Sequence, residues 1–458
     1  MDTQKSQTPN RFISWLKTSI TARMFMVGFL TLILLIPLFF VQDLIEERAQ
    51  RQEEVVSEIN EKWGEEVLIY GPVLKIPYTV SVKQVIQNRD SKAFETQYIE
   101  EEKIAYFFPK ELNLKTHVNA EIKKRSLYKT SVYNSETHFE GSFAIPDFSD
   151  APAEPNQILW EKARIIFQTS NLKGVNEQVT IKLNGNSYPF SSKYEKRNPT
   201  DLSHLKLFTM ETTSVKPENL PQENTMKFEM DLHINGSEQL RFIPTGKTTE
   251  AQVTSDWETN NFTGNYLPYN EDKLDGKGFD AKWKVLDINR PFPQEFFQGL
   301  PNLTEFAFGV NFKIPVDEYQ KSERTAKYGF LVIGLTFLIF FLIQTLSKIH
   351  IHPFQYLMIG LALIMFYTLL ISISEHSSYL NAYLVASVAI ILLISFYARS
   401  ILKNIKFPAF IAFSLTLLYS FIYVITQLEN YALLVGSIGL FIILALVMYV
   451  SRKIDWNS

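Results

Sequence analysis

The sequence predicts an α+β membrane protein. Six transmembrane helices, arranged one plus five, flank a large β-rich, sandwich-like extracytoplasmic domain inserted between helices 1 and 2. The first observation behind this is the apolar pattern. Runs at Met24–Val41 and near Tyr328–Leu346, Pro353–Ile373, Leu380–Ala398, Phe407–Thr426 and Tyr431–Val450 hold roughly 18–21 residues each. That length crosses a hydrocarbon core of about 30 Å at 1.5 Å per helical residue. The second is the polar stretch of roughly 285 residues between the first two runs, where the apolar period changes from helical to two. The third is the placement of Lys and Arg. Lys5, Arg11, Lys17 and Arg23 precede the first run, and Lys348, Arg399, Lys403, Lys406, Arg452 and Lys453 fall in alternate connections. The opposite short loops carry only Glu375 and Glu429. The positive-inside rule therefore puts both termini in the cytoplasm and the inserted domain outside.

Averages conceal this division. The chain is 46% hydrophobic and 20% charged, values of an ordinary soluble protein, because a charge-poor C-terminal third is pooled with a charge-rich middle. A net charge of −3 gives no basic face for nucleic acid. The absence of cysteine removes disulfides, thiolate nucleophiles and Cys-ligated metal sites together.

In chain order, residues 1–23 form a basic cytoplasmic N-terminus and 24–41 an anchor. The anchor is expected to be uncleaved, since it ends Leu38-Phe39-Phe40-Val41-Gln42-Asp43 without the small residues of a signal-peptidase site. Pro37 is tolerated near its end and can kink it. Residues 43–63 read as a juxtamembrane helix, with Ile45, Ala49, Val56, Ile59 and Trp63 on one stripe and Gly64 as the stop. Residues 64–327 are assigned to the β-rich domain. Its clearest strand is Lys227–Ile234, where Phe228, Met230, Leu232 and Ile234 alternate with Glu229, Asp231 and His233. Asn235-Gly236 then predicts a hairpin returning through Leu240 and Phe242, and Asn184-Gly185 predicts a second one between Leu183 and Tyr188. Further strands are expected at Val73–Val82, Lys103–Phe108, Phe139–Ala144, Thr249–Trp257, Phe279–Val285 and Phe306–Ile314. One very large sandwich and two stacked ones both fit this pattern. Residues 328–450 form the five-helix bundle and 451–458 a cytoplasmic C-terminus.

Motifs for chemistry are sparse. His117, His138, His204 and His233 lack metal-ligand spacing, and no His-Glu-x-x-His, Gly-x-Ser-x-Gly or phosphate loop occurs. No metal or cofactor is expected. Asp150, Glu154, Asp256 and Glu258 are the carboxylates that could pair as acid and base. Trp257, Tyr266, Tyr269 and Trp283 are aromatics for a sugar-stacking groove or, more simply, for the core. No Lys, Arg, Asp or Glu lies near the middle of any span, where coupled transporters place such groups. Gln344, Gln355, Asn381 and Gln427 lie toward span ends and read as interfacial anchors. The polar pair Glu375-His376 at the outer mouth of span three is the one candidate site in the membrane half. His350 and His352 flank the inner mouth, with Tyr367, Thr368 and Ser372 reaching only part of the way between.

Several stretches carry a resemblance. They are Tyr70-Gly71-Pro72-Val73-Leu74-Lys75-Ile76-Pro77, Thr254-Ser255-Asp256-Trp257 and Gly264-Asn265-Tyr266-Leu267-Pro268 in the domain. In the membrane half they are Arg324-Thr325-Ala326-Lys327-Tyr328, His352-Pro353-Phe354-Gln355-Tyr356 through Ser374-Glu375-His376, and Arg452-Lys453-Ile454-Asp455-Trp456. In order, spacing and topology the chain resembles the CreD-like inner-membrane proteins of bacteria over essentially its whole length. The resemblance implies a link to the Cre two-component regulon and to envelope integrity; it brings no reaction, ligand or catalytic residue. The residues and the resemblance together lead to a non-enzymatic envelope protein, a scaffold, stress-response component or binding module. Its expected partners are the lipid bilayer and envelope proteins or cell-wall components. The alternatives are a transporter or lipid-handling protein for an uncharged or amphipathic substrate and, third, an envelope hydrolase.

Overall fold

The computed structural model describes residues 20–87, 94–193, 205–221, 225–258, 261–273, 278–312, 314, 318–347, 349–402, 405–428 and 431–452. His204, Glu429, Trp456 and the basic residues Lys5, Arg11, Lys17, Lys348, Lys403 and Lys453 lie outside them. Residues 55–314 make one compact unit; those up to 54 and from 315 onward make the other.

Seven α-helices are described: α1 (Ile20–Trp63), α2 (Glu318–Lys327), α3 (Gly329–Ser347), α4 (Pro353–Ser374), α5 (Tyr379–Leu402), α6 (Lys406–Gln427) and α7 (Ala432–Ser451). All but α2 are long and apolar enough to cross a membrane. The anchor and the juxtamembrane helix are thus a single helix of 44 residues, about 66 Å long at 1.5 Å per residue. Nothing between Gln42 and Lys62 breaks it, because that stretch holds neither Gly nor Pro. In the membrane unit α1 lies close against the bundle through glycines: a Cβ on Gly329 or Gly360 would run into Leu38 or Leu34. The helix α2, expected within the β-rich domain, groups with the membrane helices.

Among the described residues, seventeen strands build the other unit. In chain order they begin β1 (Val67–Gln87), β2 (Phe94–Phe107), β3 (Glu111–Arg125), β4 (Tyr128–Phe143), β5 (Gln157–Ile158) and β6 (Arg164–Thr169). Next come β7 (Thr180–Leu183), β8 (Asn186–Lys193), β9 (Phe208–Thr212), β10 (Met226–Ser237), β11 (Gln239–Phe242) and β12 (Thr248–Ser255). The last are β13 (Phe262–Gly264), β14 (Asn270–Lys273), β15 (Phe279–Leu286), β16 (Glu295–Phe296) and β17 (Phe308–Asn311). One sheet runs β13-β17-β11-β1-β6-β9-β8, with β2 beside the far half of β1 and β16 beside β2. The other runs β14-β15-β12-β3-β4-β10-β7-β8. Strand β8 pairs with β7 through its first half and with β9 through its second, so it turns the corner between the sheets. A single core joins residues of both, among them Ile76, Leu114, Phe139, Phe167, Leu232, Val253, Trp283 and Phe308. The domain is therefore one large sandwich.

The two Asn-Gly turns come out differently. Asn184-Gly185 is a two-residue hairpin turn between β7 and β8, with φ of 46° and 92°. Asn235-Gly236 is not a turn. Strand β10 runs through it, pairing with Asn134 and Tyr133 of β4, and β11 joins the opposite sheet. Glycine is needed there for close approach, since a Cβ would strike the Tyr133 ring; the chain changes sheets at Glu238, whose φ is 59°. Gly71-Pro72 likewise forms no turn after the helix, but an irregularity inside β1 where its register against β6 shifts. Strand β1 escapes strict alternation because a second core of Leu68, Tyr70, Val73, Phe108, Ile166, Ile243, Phe292 and Leu303 covers the outer face of its sheet.

The end of α1 is built into the sandwich. Asn60 Nδ2 donates to Glu238 Oε1 at 3.0 Å, and its Oδ1 accepts from Thr130 Oγ1 at 3.0 Å. Its carbonyl takes the amides of Gly64 and Glu65, both at 2.7 Å. Arg125 pairs with Glu58 at 2.8 Å, and Lys123 lies over the Trp63 ring.

Candidate functional site

The expected pair Glu375-His376 does not pair. Both follow α4, but His376 is exposed while Glu375 has a side chain only 16% accessible. Glu375 Oε1 accepts from the Tyr319 hydroxyl of α2 at 3.3 Å and lies 3.9 Å from Arg48 of α1. Beside it, Glu318 of α2 accepts the amide of Tyr379 at 2.7 Å, and Gln42 of α1 donates to the Ala326 carbonyl at 2.9 Å. These contacts tie α1 and α2 to one end of the bundle. Just below, Thr325 lies 2.6 Å from the Tyr379 hydroxyl and 3.2 Å from Thr426. Phe366 then packs against Tyr367, Tyr383 and Tyr419 at ring distances of 4.9, 5.3 and 4.6 Å. This aromatic cluster spans α4, α5 and α6 and was legible in the sequence only as scattered tyrosines.

Gln344 departs from the interfacial role expected of it. It is 1% exposed and accepts from the Tyr356 hydroxyl at 2.9 Å inside the bundle. His352 and Gln355 cap α4: the Phe354 amide donates to His352 Nδ1 at 3.2 Å, and the His352 amide to Gln355 Oε1 at 2.8 Å. Asn381 and Gln427 are exposed at helix ends, and His350 is exposed in the connection between α3 and α4.

In the sandwich, Asp150, Glu154, Asp256 and Glu258 are all exposed and make no ion pair among the described residues. Trp283 is buried in the core against Phe308, and Trp257 and Tyr266 pack on that core; only Tyr269 is freely exposed, at 69%. Trp257, Tyr266 and Trp283 thus serve the interior. Two charged clusters there have structural roles. Glu211 is buried with Lys75 at 2.6 Å and Lys193 at 3.1 Å. Burial pushes its carboxyl upward, but the hydrogen bonds and charge of Lys75 and Lys193 outweigh that and hold it below the ordinary range. Arg290, buried against Phe292, bonds Asp287 at 3.0 Å, and burial lowers it from its usual value.

Strand register also creates a polar constellation on the sheet surface that sequence spacing did not reveal. On the solvent face of the β14-to-β8 sheet, adjacent strands align Asp280, Thr254, His117, Glu136 and His233 in one row. Two residues along, Lys282, Gln252, Lys115, His138, Asp231 and Thr180 form the next. His117, His138 and His233, more than a hundred residues apart at the extremes, thus share one face. His138 Nδ1 lies 2.7 Å from Asp231 and His233 Nδ1 3.2 Å from Glu177, while His117 Nδ1 lies 3.1 Å from the Thr254 hydroxyl. A depression of about 330 Å³ lies over His117, Glu136, His138 and Asp231, and a second of about 290 Å³ adjoins it, sharing Asp231 and His233. Together they form a shallow trough across β12, β3, β4, β10 and β7. Among the described residues no three His, Cys, Asp or Glu are grouped to hold a metal ion.

Six membrane-crossing helices with a β-sandwich between the first and the rest define a multi-pass membrane protein carrying one large inserted domain. A family model described as "Inner membrane protein CreD" matches residues 19–457. A curated relative, "Inner membrane protein CreD" of Escherichia coli (strain K12), is 28% identical over 429 residues, covering 93% of this chain and 91% of the relative. The chain belongs to the CreD family of multi-pass inner-membrane proteins.

Proposed function

We propose that this chain is a non-enzymatic component of the cell envelope, a binding module or scaffold whose contact surface is the polar trough of the sandwich. In this reading the domain lies outside the cytoplasm, both termini lie inside, and expression belongs to an envelope-stress response such as the Cre two-component regulon. The observation that carries the proposal is the pair of cross-strand rows. A merely solvated sheet face has no need to gather three histidines, each in polar contact, over two adjoining depressions. The distribution of Lys and Arg among the short loops supports the orientation.

A second reading, passage of an uncharged or amphipathic substrate through the bundle, has one observation in its favour. The buried hydroxyls of Tyr367 and Tyr419 have no hydrogen-bond partner among the described residues. Against it, the rings around Phe366 are in contact and fill the space between α4, α5 and α6. The test is complementation of a strain lacking the native copy under envelope stress. His138→Ala combined with Asp231→Ala should abolish the rescue at normal protein levels. Full rescue by that variant removes the proposal.

A further inference from the structure

We propose that the trough holds a linear, amine-bearing oligosaccharide laid across the strands. This rests on reading the trough as the contact surface and adds the ligand class. Five strands at a spacing of about 4.8 Å give a run of about 19 Å, so equivalent side-chain positions recur at a distance comparable to one sugar ring of an extended chain. The lining chemistry narrows the class. Thr254, Gln252, His117 and His138 offer hydrogen-bond donors and acceptors to hydroxyl groups, whereas Val179 and Met230 are the only apolar residues in the lining and both are buried. An acyl tail or the apolar side chains of a peptide would meet no exposed apolar side chain there.

Charge narrows it further. Four carboxylates (Glu136, Glu177, Glu229, Asp231) face two lysines (Lys115, Lys182) along the trough. Three of the four are engaged: Asp231 with His138, Glu177 with His233, and Glu229 with Lys182 at 3.7 Å. Glu136, exposed and aligned between His117 and His233, makes no ion pair among the described residues. It is the acceptor for a ligand ammonium, and the acidic balance disfavours anionic glycans and phosphates. A charge-assisted hydrogen bond of this kind strengthens binding by about tenfold or more.

The experiment is calorimetry on the full-length protein in nanodiscs, with four probes: the glucosamine tetramer, its fully N-acetylated form, tetragalacturonate and tetralysine. The glucosamine tetramer should bind, the acetylated tetramer about tenfold or more weaker, and tetragalacturonate not measurably. Glu136→Gln should weaken the glucosamine tetramer by a similar factor without moving the melting temperature. Asp256→Asn, exposed elsewhere in the domain, should leave binding unchanged. Absence of saccharide binding, binding of tetralysine alone, or equal effects of the two substitutions overturns the assignment. The two levels separate cleanly. Loss of rescue by the trough variants with no saccharide bound removes the ligand class alone, whereas retained rescue removes the underlying reading.

Discussion

Leu232→Asp tests the sandwich at its centre. Leu232 sits on β10 with an accessibility of 0%, opposite Thr137 of β4, in the core between the two sheets. Its neighbour Asp231 points the other way and has a side chain 65% exposed. Removing the leucine forfeits about 2–3 kcal/mol of burial. A carboxylate in its place must be charged in a dry core or be protonated at a cost, which brings the total to about 5 kcal/mol or more. Leu232→Ala should cost about 2–5 kcal/mol. Asp231→Leu alters a solvated position and loses one exposed contact to His138, so about 1 kcal/mol or less is expected. Urea unfolding of the full-length protein, followed by tryptophan fluorescence, reads this out. Trp63, Trp160, Trp257 and Trp283 belong to the sandwich unit, against Trp15 and Trp456 outside it. Equal midpoint shifts for Leu232→Asp and Asp231→Leu would refute the register of β10.

Three further outcomes are expected. Asn60→Ala should destabilise the sandwich by about 1–3 kcal/mol in the same urea series, because the buried Thr130 hydroxyl loses its acceptor. Glu211→Gln breaks a buried ion pair and should cost about 3 kcal/mol near neutral pH. The folded Glu211 carboxyl titrates below its ordinary value of 4.5, so its contribution is complete above that value and lost as pH falls through the lower folded one. The gap in melting temperature between wild type and Glu211→Gln should therefore close on acidification, and a constant gap would contradict the assignment. For orientation, the cysteine-free background allows single substitutions. Glu258→Cys and Ser378→Cys should react with an impermeant thiol reagent in intact spheroplasts, and labelling of Asn404→Cys from outside would reverse the topology.

What the sequence revealed follows from the range of the forces involved. Helix length in a bilayer and alternation in a half-buried strand are local, so the buried face of β10 and four of the five C-terminal spans were legible to within a residue or two, while α5 runs four residues past its expected end at Ala398. Asn-Gly is also a local signal, but it has two causes. At Asn184-Gly185 glycine serves a positive φ; at Asn235-Gly236 it makes room for Tyr133, and only the tertiary partner distinguishes them. The histidine rows were illegible because they depend on non-local register, including the parallel pairing of β3 with β12. Gln344 misled for a similar reason: its place near a span end suggests an interface, but Tyr356 satisfies it inside the bundle. Glu375 and His376 are adjacent in sequence, yet the partners of Glu375 come from residues 48 and 319.

The central claim is that function resides in the sandwich face rather than in a titrating path through the bundle. Glu375→Gln combined with His376→Gln tests it most directly in the full-length protein, by complementation under envelope stress. Glutamine at position 375 retains an oxygen for the Tyr319 hydroxyl, and neither glutamine can take up or release a proton. The account predicts rescue close to wild type at normal protein levels. Loss of rescue with the protein present in normal amounts would contradict it and favour transport.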